Sequence, residues 1–163
     1  MLKLLRKLVK DRDDISITLV NEGKVSYYSG MLPGSVSHLY TDEDIMVHLP
    51  PLAAWSQAEY IEKKVEEIKG AENKIRCSDG SWVEYDVLVI NVGSRTRHTQ
   101  KVPGVWEHSL TTRPINDLLP KIRTKEEELK AKGVIPKVVV CGAGAAGTEL
   151  SFAFKARWGK FFG

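Results

Sequence analysis

Hydrophobic positions along this chain change period several times, and each change marks an element. Leu4, Leu5, Leu8 and Val9 fall at helical spacing with Lys3, Arg6, Lys7 and Lys10 opposite, which predicts a short amphipathic helix. Ile15 to Val20 is apolar or β-branched and runs into Asn21-Glu22-Gly23, the pattern of a buried strand with an acid at its end. Tyr27 to Ser35 reads as a loop by its Gly and Pro, with enough apolar material to line a pocket or cover a ligand. Thr41 to Asp44 could cap a short helix; Ile45, Val47 and Leu49 alternate as a strand that Pro50-Pro51 should stop, with a helical turn from Leu52 to Ser56.

Between Glu59 and Gly70 the spacing of Ile61, Val65 and Ile68 favours a helix. Lys74 to Cys77 and Trp82 to Tyr85 flank Ser78-Asp79-Gly80-Ser81, a strong hairpin signal. Val87 to Val92 reads as a buried parallel strand ending at Gly93, where a ligand can approach the backbone. Arg113 to Asp117 resembles a capped helix start, Leu118 to Lys132 a charged, exposed helix stopped by Gly133. Val134 to Cys141 predicts another Val-rich strand, and Thr148 to Trp158 is helical in pattern.

The alternation of strands and helices points to an α/β fold, and composition agrees. The 163 residues are 42% hydrophobic and 28% charged, enough for a real core. A net charge of +3, evenly spread, gives no basic face for nucleic acid. No apolar run reaches membrane-spanning length. Asp11, Asp13 and Asp14 follow the N-terminal helix at once, which argues against a mitochondrial presequence. Cys77 and Cys141 are too far apart for a redox or zinc motif, and Cys77 alternates with charge as a strand residue does. His38, His48, His98 and His108 lack metal-ligand spacing, so no metal is assigned. No catalytic residue can be argued from spacing either.

One motif carries chemistry. Gly142-Ala143-Gly144-Ala145-Ala146-Gly147 sits between the Val-rich segment and a helix, the context in which GxGxxG cradles a dinucleotide. Gly142 permits the tight turn, Gly144 lets backbone approach a pyrophosphate, and Gly147 lets helix pack on strand. The bland alternative is a glycine-rich turn that binds nothing. Glu22 likewise has two readings: a ribose ligand about 20 residues beyond a glycine turn, or the end of a strand in a surface turn. Counting back that far from Glu22 reaches the start of the chain, and only 16 residues follow Gly147. Both counts lead to the expectation that the chain is an internal segment.

Taken in order, Ile15 to Glu22, Tyr85-Asp-Val-Leu-Val-Ile-Asn-Val-Gly93-Ser94, Val102-Pro103-Gly104 and Gly142 to Glu149 resemble the FAD-dependent pyridine nucleotide-disulfide oxidoreductase superfamily. Tyr28-Ser-Gly-Met-Leu-Pro-Gly34 most resembles its NADH dehydrogenase-like branch, including the flavoproteins found fused to selenide, water dikinase. The resemblance implies an incomplete two-Rossmann fold with parallel sheets and a small β-hairpin insertion. Residues 1–112 would belong to a partial FAD-binding domain and 113–163 to the start of an NAD(P)H-binding domain. It implies that Glu22 faces the FAD ribose, that Ser29, Gly30, Met31 and Pro33 lie near the flavin, and that Gly93 approaches the FAD. Gly142, Gly144 and Gly147 would receive the NAD(P)H pyrophosphate, with Glu149 on the nicotinamide side. It also suggests strands, not helix, within Ala58 to Ile68, and that reading is preferred here.

The implied activity is hydride transfer from NAD(P)H to FAD, with electrons passed to a quinone or other acceptor and peripheral membrane contact open. The compartment, cytoplasmic or mitochondrial, is left open too. Some residues depart from the pattern. The Cys-x-x-x-x-Cys pair of the disulfide reductases is missing, and Asn91-Val92 stands where Ala-Thr is usual. The upstream glycine motif that would cradle the FAD pyrophosphate is missing as well, so this chain alone should bind FAD poorly. Two rivals remain: a truncated non-catalytic nucleotide-binding or interaction module, and a plain NAD-dependent dehydrogenase, which the late position of the glycine turn disfavours.

Overall fold

A computed structural model describes residues 6–7, 12–95 and 101–162. Most of the predicted N-terminal helix, including Leu4, Leu5, Leu8 and Val9, and also His98, lie outside the described residues. In chain order the strands are β1 (Thr18–Asn21), β2 (Val25–Tyr27), β3 (Met46–His48), β4 (Glu59–Glu62), β5 (Val65–Lys69), β6 (Lys74–Cys77) and β7 (Trp82–Glu84). The α-helices are α1 (Leu32–Val36), α2 (Leu49–Trp55), α3 (Val105–His108), α4 (Ile115–Ala131) and α5 (Ala145–Phe162). Among the described residues no helix is long and apolar enough to cross a membrane.

The chain forms two compact units, the first from residues 1–26 and 47–91, the second from 27–46 and 92–163. In the first, β1 pairs in parallel with β4, Thr18 opposite Glu59 and Asn21 opposite Glu62. The pair is tied off by Lys63 N–H to the Asn21 carbonyl (2.9 Å) and Tyr60 O–H to the Gly23 carbonyl (2.8 Å). Strands β5, β6 and β7 form an antiparallel meander, with Ile75 and Cys77 buried on its inner face. Its β6–β7 turn is the expected Asp79-Gly80, with Gly80 at φ +83. Asp79 accepts hydrogen bonds from the Ser81 N–H and O–H and pairs with Lys63 at 2.6 Å. The Lys63 bond, with help from Ser81, holds the Asp79 carboxyl far below the usual range.

Helical spacing fails between Glu59 and Gly70, as the family resemblance anticipated. Two strands occupy the region because β1 and β6 offer backbone partners, and burial alternates residue by residue along β5. Pro50 and Pro51 also act differently from expectation. They sit in the first turn of α2, where a missing N–H costs nothing, and so open a helix instead of merely ending a strand.

The second unit is built from helices. Leu32 and Val36 of α1, Leu118, Leu119 and Ile122 of α4, and Leu150, Ala153, Phe154 and Trp158 of α5 form one buried cluster with Ile45. Helix α4 is therefore not exposed throughout: its charged face meets water while the face of Leu118, Leu119, Ile122 and Glu126 is buried. It starts at Ile115 with no side-chain cap bond and is followed by Gly133 at φ +61.

Two expected strands do not form. Val87 to Val92 and Val134 to Cys141 enter no ladder, and they leave Val87 81% and Val139 75% exposed. A buried parallel strand needs hydrogen-bonding neighbours and a cover on each face, and neither segment pairs with a strand among the described residues.

Candidate nucleotide-binding site

The glycine turn of the second unit is shaped by its own backbone. Gly142 has φ +117, a conformation closed to side chains, and it brings its carbonyl against the start of α5. A Cβ placed on Gly147 would lie 1.9 Å from the Gly142 oxygen and 2.9 Å from its carbonyl carbon, so this turn closes only with glycine at 147. Gly144 is different. A Cβ there would meet nothing within 4 Å, so packing does not demand glycine at that position.

Helix α5 opens at Ala145 directly after the turn, and Thr148 N–H donates to the Gly144 carbonyl at 3.0 Å. The preceding N–H groups of the first turn have no carbonyl one turn back to bond, and with the helix dipole they favour an anion in front of them. Residues 142–146 and Glu149 are exposed, which leaves this face open to a ligand. The pyrophosphate of a dinucleotide fits the turn on the observation that Gly144 offers bare backbone where the fold does not need it.

What fixes α5 is a buried polar knot that the sequence reading did not foresee. Arg157 Nη2 donates to Glu126 Oε2 at 2.7 Å, and its Nε donates to Oε1, where Trp158 Nε1 also donates at 2.6 Å. Arg157 Nη1 reaches the Val36 carbonyl at the end of α1 at 3.2 Å. The Arg157 and Glu126 side chains are 4% and 5% exposed. Burial pushes the Glu126 carboxyl up, but the bonds from Arg157 and Trp158 outweigh it and hold the group below its ordinary value. The available signal was Glu126 falling four residues after Ile122 on the apolar face of α4, a position where a charge needs a partner.

The Tyr28 to Gly34 segment is a 3-10 turn over Ser29–Met31 leading into α1, not an open loop. Tyr28 N–H donates to the Ile45 carbonyl at 2.8 Å, and Met31 N–H to the Tyr28 carbonyl at 3.1 Å. Ser29 and Gly30 are exposed, Pro33 stands half-buried in the first turn of α1, and Met31 packs partly into the helical core. Leu32, expected at a pocket, is instead fully in that core. Through α1 and α5, which share the cluster, this turn and the glycine turn belong to one packed unit.

The remaining site residues stand apart from this arrangement. Gly93, in the second unit, is exposed with φ +73 and open space where a Cβ would go. Glu22, in the first unit, is exposed just after β1. Cys77 is buried and Cys141 exposed, both as free thiols. Among the described residues no group of His, Cys, Asp or Glu could hold a metal ion.

The family model described as pyridine nucleotide-disulphide oxidoreductase matches residues 3–160. A sulfide-quinone reductase of Aquifex aeolicus (strain VF5) is 32% identical over 82 residues, which is 50% of this chain and 19% of that protein. The solved sulfide:quinone oxidoreductase of the same bacterium superposes with a TM-score of 0.64 at 26% identity, covering 80% of this chain and 30% of its own. NADH:rubredoxin oxidoreductase from Clostridium acetobutylicum superposes at 0.54 with 22% identity, covering 86% of this chain and 35% of its own, a likeness of fold. The chain thus spans about a fifth of the curated relative, at 19%, and about a third of the solved ones, at 30% and 35%.

Proposed function

The chain belongs to the pyridine nucleotide-disulphide oxidoreductase family, FAD-containing and NAD(P)H-utilising oxidoreductases of Rossmann type, and on that premise we propose that it serves hydride transfer from NAD(P)H to FAD. The observation that carries the reading is the glycine turn: Gly147 is required by packing, Gly144 is not, and both precede the second turn of an 18-residue helix. A turn that bound nothing would have no use for bare backbone at 144.

In this reading Gly142, Gly144 and Gly147 hold the NAD(P)H pyrophosphate at the N-terminus of α5, and Glu149, a turn further on, faces the nicotinamide side. Ser29, Gly30, Met31 and Pro33 border the flavin, with Gly93 approaching the FAD and Glu22 its ribose. When bound, the flavin supplies the redox chemistry; the protein supplies position and electrostatics. The core shared by α1 and α5 holds the flavin-side turn and the nucleotide turn within one unit. Residues 1–112 contribute to an FAD-binding domain and 113–163 to an NAD(P)H-binding domain. The likeness to a protein named sulfide-quinone reductase supports a quinone as acceptor.

A second reading, a nucleotide-binding module without catalysis, is favoured by a single observation: the chain holds one GxGxxG turn, and it serves one dinucleotide. A visible spectrum of the purified chain separates the two. After incubation with excess FAD, flavin retained below stoichiometry that bleaches on adding NADH is the expected result. A colourless chain that binds NADH would establish the module instead, and one that binds neither would overturn both.

A further inference from the structure

The second unit contains a polar cleft of about 360 Å³ that the nucleotide reading leaves unused. It is bordered by Ser35 and His38, by Asp44, by Arg123 paired with Asp42, and by Arg157. Arg157 lies ten residues beyond Gly147 on α5, about 15 Å along the helix, so the cleft is well separated from the glycine turn.

Two features mark it as a site for a ligand. Ser35 Oγ is buried and has no hydrogen-bond partner, although a buried hydroxyl without one is costly. Arg157 makes one protein bond from each of Nε, Nη1 and Nη2, which leaves one N–H on each Nη without a protein acceptor among the described residues. His38, at φ +63, takes the left-handed conformation common where a helix ends. It closes the end of α1, where its N–H donates to the Ser35 carbonyl at 3.1 Å and Leu39 N–H donates to the Gly34 carbonyl at 2.8 Å.

Hydrogen-bonding capacity and charge then restrict the occupant. Unallotted capacity lies mostly on donors, Ser35 and Arg157, which call for an oxygen acceptor. One acceptor also stands open: Asp44 Oδ2 takes two bonds from Thr41, while Oδ1 takes none of them. Arg123 and Arg157 stand against Asp42, Asp44 and Glu126, which leaves one negative charge in excess, so an added anion would be repelled. We infer that this cleft binds a small neutral carboxamide, whose carbonyl oxygen accepts from Ser35 or Arg157 and whose N–H donates to Asp44. Leu39 and Leu119 offer apolar surface to the rest of the molecule.

The test is a fluorine NMR titration of the full chain with 4-fluorobenzamide, with 4-fluorobenzoate in parallel. Saturable binding of the amide is expected, at least fivefold tighter than the acid, and weakened at least fivefold in Ser35→Ala and in Asp44→Ala. Asp44 is exposed, so Asp44→Ala should still melt cooperatively while losing the site, which separates loss of binding from loss of fold. Absence of saturation, binding by the variants as tight as by the parent, or equal affinity for the acid would each overturn the assignment. So would displacement of the amide by NADH, because the probe would then sit at the glycine turn.

Discussion

Helix α5 and the segment that leads into it, Val134 to Cys141, are neighbours in sequence and both rich in apolar side chains, yet they end differently. Leu150, Ala153, Phe154 and Trp158 are buried, while Ile135 and Val139 are exposed. The difference lies in backbone hydrogen bonding. A helix satisfies its own peptide groups and needs only one apolar stripe covered, which α1 and α4 supply. A strand leaves its peptide groups to a neighbour, and among the described residues Val134 to Cys141 has none. Helical parts of the unit therefore assemble from what the chain contains, and strand parts depend on pairing.

The largest effect expected from breaking that contrast is at Glu126. Glu126→Ala leaves the buried Arg157 uncompensated and should cost about 3–5 kcal/mol, read by denaturant unfolding of the second unit. Gly147→Ala comes next. Its Cβ must push back the Gly142 carbonyl, so a loss of about 1–3 kcal/mol is expected from thermal melts, together with loss of NADH binding. A pH series sharpens the same point. The folded Glu126 carboxyl lies below its ordinary value of 4.5, so its contribution to stability is complete above 4.5 and is lost as pH falls through the folded value. Glu126→Gln should flatten that acid limb, whereas an unchanged limb would place the titrating group elsewhere. The smallest effect is expected in the exposed Val134 to Cys141 segment: Val139→Thr should shift stability by less than about 0.5 kcal/mol.

The same physics explains how much could be read beforehand. The hairpin around Asp79-Gly80, the helix after the glycine turn and a strand at β1 follow from local pattern and are present, but β1 is not the buried strand expected, since none of its residues is buried and Ile15 is exposed. Glu59 to Gly70 misled because three apolar residues at helical spacing say little when β1 and β6 stand ready to pair. The Val-rich runs misled in the opposite direction, since their composition describes a strand that already has neighbours. In the candidate site, the spacing of Gly142, Gly144 and Gly147 was legible as a motif. That Gly147 answers to the Gly142 carbonyl while Gly144 answers to nothing in the chain requires coordinates. The Glu126 to Arg157 knot spans 31 residues, and no local pattern could announce the partner.

Gly144 also allows the central claim to be tested without disturbing the fold, because a methyl group there has open space around it. The measurement is the NADH dissociation constant of the parent and of Gly144→Ala, taken beside their melting curves. The expected result is saturable binding by the parent and at least tenfold weaker binding by the variant at an unchanged melting temperature. Equal NADH affinity in the two proteins, or no binding by the parent, would contradict it.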